Sequence, residues 1–205
     1  MKKILIIDFN KTLQDRLMWQ SIKDPENPLY GNFDRIDNFI FKERRDLLEA
    51  WLIGSINTED VHEEISDKLN LDYKILLDSF IYDCEQMIVN EEFLFVLEKL
   101  QEKFWLILAT DNMDSFDRFI LPQNPYLKVL FDEIHNSYNL RIRKSTNNGE
   151  YFKRVLYKYN ILAKDMILVD DSTKSCLPAK EMGIEVYQPK SIKETLDILN
   201  KLSTY

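Results

Sequence analysis

The sequence predicts an α/β fold, in which a three-layer, Rossmann-like core with a parallel sheet carries an inserted small all-helical domain. Three short apolar runs, residues 4–7, 106–109 and 166–169, predict the sheet, because each stops abruptly at carboxylates or hydroxyls. Such runs are typical of buried parallel strands. Ligands bind at the carboxyl edge of an open α/β sheet, so we expect the three strand ends to converge on one site.

The segment between the first two runs has a different pattern. Residues 14 to about 35 are polar and turn-prone, and apolar residues between 39 and 52 then recur at helical spacing. Asn57 or Thr58 is expected to cap one helix, and another is expected from about 73 to 87. The pattern predicts two domains, an α/β core of residues 1–13 and 90–205 and a helical cap of residues 14–89.

Helices and strands alternate in the second half. We expect helices at about 91–103, 115–121, 151–159, 175–182 and 191–201, with Gly183 ending the fourth, and further strands at 131–138 and 184–187. This alternation predicts a parallel sheet with helices on both faces.

Composition limits the classes of partner. The 205-residue chain has a net charge of -8, which argues against binding to nucleic acid or to anionic membranes. Three of residues 141–144 are basic, and we interpret this run as an edge-strand charge cluster together with a lysine of the functional site rather than as a nucleic-acid surface. Cys84 and Cys176 lack metal-ligand spacing and fit a reducing compartment, and no apolar stretch is long enough to span a bilayer. We therefore expect a cytoplasmic protein, whose oligomeric state the sequence does not indicate.

Four short motifs occur in a characteristic order. Asp8-Phe9-Asn10-Lys11-Thr12 follows the first strand, Thr110 ends the second, Lys144 precedes a helix, and Asp170-Asp171 ends the third strand. In order and spacing they resemble the motifs of the haloacid dehalogenase-like (HAD) superfamily, most members of which are phosphatases. The resemblance covers nearly the whole chain, and the helical insertion resembles the small cap domain of that family.

The residue types suit phosphoryl transfer, and the resemblance implies the same roles. Asp8 can attack phosphorus and form an aspartyl phosphate. Asp8 and Asp170, with Asp171 and the Asn10 carbonyl, offer hard oxygen ligands for Mg²⁺. Thr110 and Lys144 can hold the phosphoryl oxygens of a small phosphorylated substrate, and Lys144 can keep Asp8 ionised.

Several assignments have alternatives. Asp111 and Asn112 can contact substrate or form a turn. Asp171 can bind the metal or cap a helix. Lys153 competes with Lys144, whose spacing fits better. The histidines His62 and His135 are expected to be ordinary surface or packing residues. The aromatic residues of the insertion are expected mainly to pack in the core, although one or two of them can line the substrate entrance: Trp19, Phe39, Phe41, Trp51, Phe80 and Tyr82.

The chain departs from the phosphatase pattern two residues after the expected nucleophile. Asn10 stands where the phosphatases carry a second Asp, which protonates the leaving group and activates water. An amide cannot exchange a proton at neutral pH, and loss of general acid–base help costs about 10²–10⁴ in rate. Lys11 replaces a usual Gly, and Ser145 a common Pro. The acidic pair Asp170-Asp171 is intact, which argues against the metal-free dehalogenases.

The sequence thus predicts a HAD-like hydrolase, a Mg²⁺-dependent phosphatase of a small phosphorylated metabolite. The alternative is a phosphate- or partner-binding protein on the same fold that has lost efficient turnover because of Asn10.

Overall fold

The computed structural model of the chain describes residues 2–204, which contain a five-stranded parallel sheet with helices on both faces. The strand order is β3-β2-β1-β4-β5, so the first strand lies at the centre. The strands are β1 (Lys3–Ile7), β2 (Phe104–Thr110), β3 (Glu133–Asn136), β4 (Met166–Val169) and β5 (Glu185–Tyr187). The predicted α/β fold class is confirmed.

The register of the central strands aligns their carboxyl ends. Ile7 of β1 pairs with Leu108 of β2 and with Val169 of β4. The residues that follow these positions therefore lie at one edge of the sheet, as the three apolar runs predict.

Alternate residues of each central strand enter different cores. Leu5 and Ile7 of β1 face one apolar cluster, whereas Ile4 and Ile6 face the other. Strands buried on both faces must be apolar at every position, which explains the continuous runs. The helices of the core are α5 (Glu91–Lys103), α6 (Leu127–Leu130), α7 (Ser137–Leu140), α8 (Glu150–Tyr159), α9 (Thr173–Glu181) and α10 (Ile192–Ser203).

Residues 14–89, here called the helical segment, contain no strand between β1 and α5. Its helices are α1 (Phe33–Asn38), α2 (Arg45–Leu52), α3 (Thr58–Leu69) and α4 (Tyr73–Glu85). Asn57 caps α3 in a capping box with Asp60, one of the two expected caps. The buried apolar cluster of this segment is continuous with that of the sheet. Its separation as a domain remains a prediction.

One local prediction has bounds that are too wide, and another is wrong. The strand expected at 131–138 is only Glu133–Asn136, because the Asn136 side chain accepts the Tyr138 N–H and starts α7. Residues 141–144 form no edge strand: they are a loop after α7, which Arg141 enters in the left-handed conformation (φ 56°), and Ile142 and Lys144 are buried. The helix expected near 115–121 is a π-helix, Phe116–Ile120, continued by a 3-10 turn.

None of the helices within residues 2–204 combines the length and apolarity needed to cross a membrane.

Candidate functional site

Three carboxylates meet at the carboxyl edge of the sheet. Asp8 follows β1 and its N–H donates to the Val169 carbonyl at 2.9 Å, while Asp170 and Asp171 follow β4. One carboxylate oxygen from each of the three acids lies within 4.8 Å of the others. Asp8 and Asp170 are buried and Asp171 is partly buried.

Lys144 inserts a cation between two of these acids. Its Nζ lies 2.6 Å from Asp8 Oδ1 and 2.7 Å from Asp170 Oδ2, and it donates to the Ala109 carbonyl at 2.7 Å. Lys144 is 3% exposed, whereas Lys153, the alternative, lies exposed on α8. The structure therefore places Lys144, and not Lys153, at the strand ends.

Burial and neighbouring charges shift the pKa values here. Burial, assisted by Asp170, raises the pKa of Asp8 to about 8, although Lys144 opposes the rise. Burial also raises the pKa of Asp171, with Asp170 adding to the effect. For Lys144 burial opposes the charge, but Asp170 and Asp8 outweigh it and raise the pKa of the ammonium. One ammonium thus faces three acids.

This excess of negative charge suits a divalent cation. Asp8, Asp170 and Asp171 supply carboxylate oxygens, which are the ligands that Mg²⁺ prefers. The donor set contains no sulfur or imidazole, so it fits a hard cation better than zinc or copper.

The residues after β2 take different positions. Thr110 is buried, and its hydroxyl has no hydrogen-bond partner in the part of the chain that the structure describes. Asp111 accepts the Lys144 N–H at 2.9 Å and so fixes the loop that carries this lysine. Asn112 is fully buried, and its backbone N–H donates to the hydroxyl of Ser137, the first residue of α7, which in turn donates to the Asn112 carbonyl. Asn112 is not among the residues that line the cavity between the helical segment and the core.

The side-chain amide of Asn10 is hydrogen-bonded to the side-chain amide of Gln14. Gln14 Oε1 accepts the Arg16 N–H at 2.7 Å, and Gln14 Nε2 donates to Asn10 Oδ1 at 2.5 Å. Because a backbone N–H can only donate, the orientation of Gln14 is fixed, and that of Asn10 follows from it. Asn10 is left with its NH₂ group as a donor.

Arg143 links the helical segment to the core, a contact that the sequence analysis missed. Its Nη1 pairs with Glu49 of α2, and its Nε lies 3.4 Å from Asp111 Oδ2. The neighbouring residue is Lys144. Glu49 and Arg143 are 94 positions apart, so no local pattern connects them.

Asp114 forms a second link. Its carboxylate accepts from Trp51 Nε1 at 2.9 Å, from the Thr58 hydroxyl at 2.7 Å and from Arg118 at 2.7 Å. Arg118 also pairs with Glu59 of α3 at 2.5 Å. Burial favours protonation of Asp114, but the bonds from Thr58, Arg118 and Trp51 outweigh it and lower its pKa. These bonds tie α2 and α3 to the core.

The expected packing roles of the histidines and aromatic residues are largely observed. His62, Trp19, Trp51 and Phe80 form one buried ring cluster, with centroids 4.6 to 6.4 Å apart. His135 is partly buried and bonds to Tyr151 at 2.8 Å and Glu133 at 2.6 Å. Phe39 is buried, whereas Phe41 and Tyr82 are exposed.

A cavity of about 490 Å³ lies between the helical segment and the core. From the core side it is lined by residues that follow the central strands, among them Asn10, Lys11 and Asp111. From the helical segment it is lined mostly by apolar side chains, including Phe33, Phe41, Leu48 and Leu52. Of the aromatic residues considered for the substrate entrance, Phe41 lines this cavity.

Solved structures with a similar fold include a HAD family enzyme and a predicted HAD-like family hydrolase. A HAD family enzyme from Bacteroides thetaiotaomicron, in complex with magnesium and inorganic phosphate, has a TM-score of 0.69 and 21% identity and covers 93% of this chain and 96% of its own. A predicted HAD-like family hydrolase from Porphyromonas gingivalis has a TM-score of 0.73 and 16% identity over 98% of both chains.

A dehalogenase shares the fold as well. L-2-haloacid dehalogenase from Xanthobacter autotrophicus, with chloropropionic acid covalently bound, has a TM-score of 0.63 and 18% identity over 92% of this chain and 77% of its own. No family model matches the sequence, and no curated protein matches it. At these identities the likeness establishes the architecture: the chain has the haloacid dehalogenase-like fold.

Proposed function

We propose that the protein is a Mg²⁺-dependent hydrolase of small phosphate monoesters, with Asp8 as the nucleophile. The observation that carries the proposal is Lys144, whose Nζ lies within 2.7 Å of both Asp8 and Asp170 beside a third acid, Asp171. A buried carboxylate next to a fixed cation is what in-line attack on phosphorus requires. The magnesium and phosphate bound by one structure of this fold support the same reading.

Asp8 performs the first step. A carboxylate oxygen attacks phosphorus, the new P–O bond gives an aspartyl phosphate, and the bond from phosphorus to the leaving oxygen breaks. Thr110 has an unpartnered buried hydroxyl that can donate to a phosphoryl oxygen. Lys144 holds Asp8 in position and offsets its negative charge.

Water completes the cycle by attacking phosphorus, which breaks the P–O bond to Asp8 and releases inorganic phosphate. The leaving oxygen of the first step needs a proton, and the attacking water must lose one. Asn10 presents an amide at this place and can do neither, so both protons are exchanged with solvent. Turnover should therefore be slow, above all with poor leaving groups.

Asp8, Asp170 and Asp171 would hold Mg²⁺. When bound, the ion would supply positive charge that opposes the raised pKa of Asp8, so that its carboxyl group is ionised for attack, and that offsets the repulsion between Asp8 and the phosphoryl group.

A hydrolysis assay tests this function. Purified protein with Mg²⁺ should release inorganic phosphate from 4-nitrophenyl phosphate, and Asp8→Asn should abolish the release while retaining a folded far-ultraviolet spectrum. Chloride release from 2-chloropropionate, measured in parallel, tests dehalogenation. Chloride release without phosphate release would contradict the proposal.

A second candidate function is binding of phosphate or a partner without efficient turnover. Asn10 is the observation that favours it, because this position lacks a titratable proton. Tight Mg²⁺-dependent binding of inorganic phosphate together with no hydrolysis of any monoester would support this alternative.

A further inference from the structure

The cavity that Asn10, Lys11 and Asp111 line has an unusual charge for this chain. Its wall carries five cationic side chains and three carboxylates, whereas the whole chain has a net charge of -8. The cations are Lys11, Arg16, Arg45, Arg143 and Lys174, and the acids are Asp37, Glu49 and Asp111. Clefts lined by an excess of one sign attract ligands of the opposite sign.

Internal ion pairs neutralise part of this set. Arg143 pairs with Glu49 and Asp111, and Arg16 pairs at 2.6 Å with Asp83, which lies outside the cavity wall. These groups are occupied by the protein itself and offer little charge to a ligand.

Three cations remain unpaired. Between residues 2 and 204, no hydrogen-bonding or ion-pair partner is found for the side chains of Lys11, Arg45 and Lys174, and all three are exposed. Lys11 and Lys174 lie just after β1 and β4. They are therefore on the side of Asp8 and Asp170, where the phosphoryl group would bind, here called the phosphoryl site. Arg45 instead begins α2 and lies on the wall formed by the helical segment.

Apart from Arg16, Asp37 and Glu49, the other residues of that wall are apolar. Leu17, Met18, Phe33, Phe41, Leu48 and Leu52 line it. A volume of about 490 Å³ is of the size that holds a whole small organic ligand, and the apolar side chains of the wall can contact the body of such a ligand.

We propose that the substrate is a phosphate monoester with an apolar body and a second anionic group, which Arg45 binds at the wall opposite the phosphoryl site. This substrate class rests on the proposed phosphatase function. Lys11 and Lys174 would instead attract the phosphoryl group of the substrate. The guanidinium of Arg45 suits a carboxylate because it can donate two parallel hydrogen bonds.

Asp37 is the competing feature, since it also lines this wall without a partner in the described part of the chain. An acid would favour an ammonium group on the substrate instead. The net positive charge of the cavity favours the anion, and the two possibilities predict opposite preferences.

Binding of phosphonates tests the inference separately from catalysis. Benzylphosphonate, its para-carboxymethyl derivative and its para-aminomethyl derivative share one body and cannot be hydrolysed at phosphorus. Calorimetry with the wild-type protein and Mg²⁺ should give a Kd for the carboxymethyl derivative roughly threefold to tenfold below that of the parent. The aminomethyl derivative should bind more weakly than the parent.

Matched variants test whether Arg45 causes the preference for the carboxymethyl derivative. Arg45→Gln should bring the ratio of the two Kd values to about one, and Asp37→Asn should enlarge it. Arg154→Gln makes the same change of charge on the exposed face of α8 and should leave the ratio as in the wild type.

Equal affinities, tighter binding of the amine, no binding of any phosphonate, or a preference that survives Arg45→Gln would each overturn the inference, even where the hydrolysis assay succeeds. The preference without hydrolysis would leave the inference standing and contradict the phosphatase function.

Discussion

Gln14 holds Asn10 in a single orientation: its Nε2 donates to Asn10 Oδ1 at 2.5 Å while its Oε1 accepts the Arg16 N–H at 2.7 Å. The group that follows the proposed nucleophile, Asp8, by two residues is therefore a fixed N–H donor. It can hold an oxygen of the substrate but cannot transfer a proton to it.

Restoring a carboxyl group at this position should restore proton transfer. Asn10→Asp should raise kcat/KM for alkyl phosphates by about 10²–10⁴, and for 4-nitrophenyl phosphate by much less, because a nitrophenolate leaves without protonation. Steady-state kinetics on both substrates check this. Equal gains, or none, would mean that Asn10 is not the missing acid and base.

Glu49 should act on the active site through Arg143. Glu49→Gln removes the ion pair that joins α2 to the loop of Lys144, and kcat/KM should fall roughly threefold to tenfold, whereas stability should change by less than about 1 kcal/mol because Glu49 is half exposed. In a double-mutant cycle with Arg143→Gln the losses should be less than additive. Fully additive losses would show that the pair does not act as a unit.

His62 should make the protein less stable in acid. Its Nε2 accepts from Trp19 Nε1 and its Nδ1–H donates to the Thr58 carbonyl, so the neutral ring is fully bonded. Burial lowers the pKa of His62 to about 4. The unfolded chain, with a His pKa near 6.5, takes up the proton first, so the free energy of unfolding should fall by about 3 kcal/mol as the pH drops from 6.5 to 4.

Urea unfolding at several pH values measures this slope. His62→Gln keeps a donor and an acceptor but cannot titrate. Between pH 6.5 and 4 the free energy of unfolding of this variant should therefore fall by about 3 kcal/mol less than that of the wild type. Identical slopes for both proteins would rule out His62 as the cause.

Mg²⁺ should stabilise the fold through the three acids. A thermal-shift titration should raise the Tm of the wild type with increasing Mg²⁺, because a ligand that binds only the folded state stabilises it. Asp170→Asn should abolish the rise, whereas Asp165→Asn, on a surface turn before β4, should retain it. A rise that persists in Asp170→Asn would place the ion elsewhere.

The central strands and their ends could be predicted because every position of a doubly buried strand must be apolar. Helix α5 has the predicted bounds, Glu91–Lys103, because its apolar residues recur at helical spacing. The strand before α7 was predicted too long, because the Asn136 side chain ends it through a hydrogen bond that hydrophobic patterning does not reveal.

The candidate site likewise contains residues that the sequence predicts and residues that it does not. Asp8, Thr110, Lys144 and Asp170 follow from motif order. The ion pair between Glu49 and Arg143, and the position of Arg45 in the cavity wall, depend on how the helical segment packs on the core. Contacts between residues so distant in the chain arise only from tertiary packing and leave no periodic signal in the sequence.

Asp8 should become phosphorylated by a reactive phosphate donor. Wild-type protein incubated with acetyl phosphate and Mg²⁺, quenched in acid and measured by intact mass spectrometry, should show a mass increase of one phosphoryl group, because Asn10 cannot activate water to remove it quickly. Asp8→Asn should show none. The absence of the adduct from the wild type, or an equal adduct in Asp8→Asn, would contradict the account.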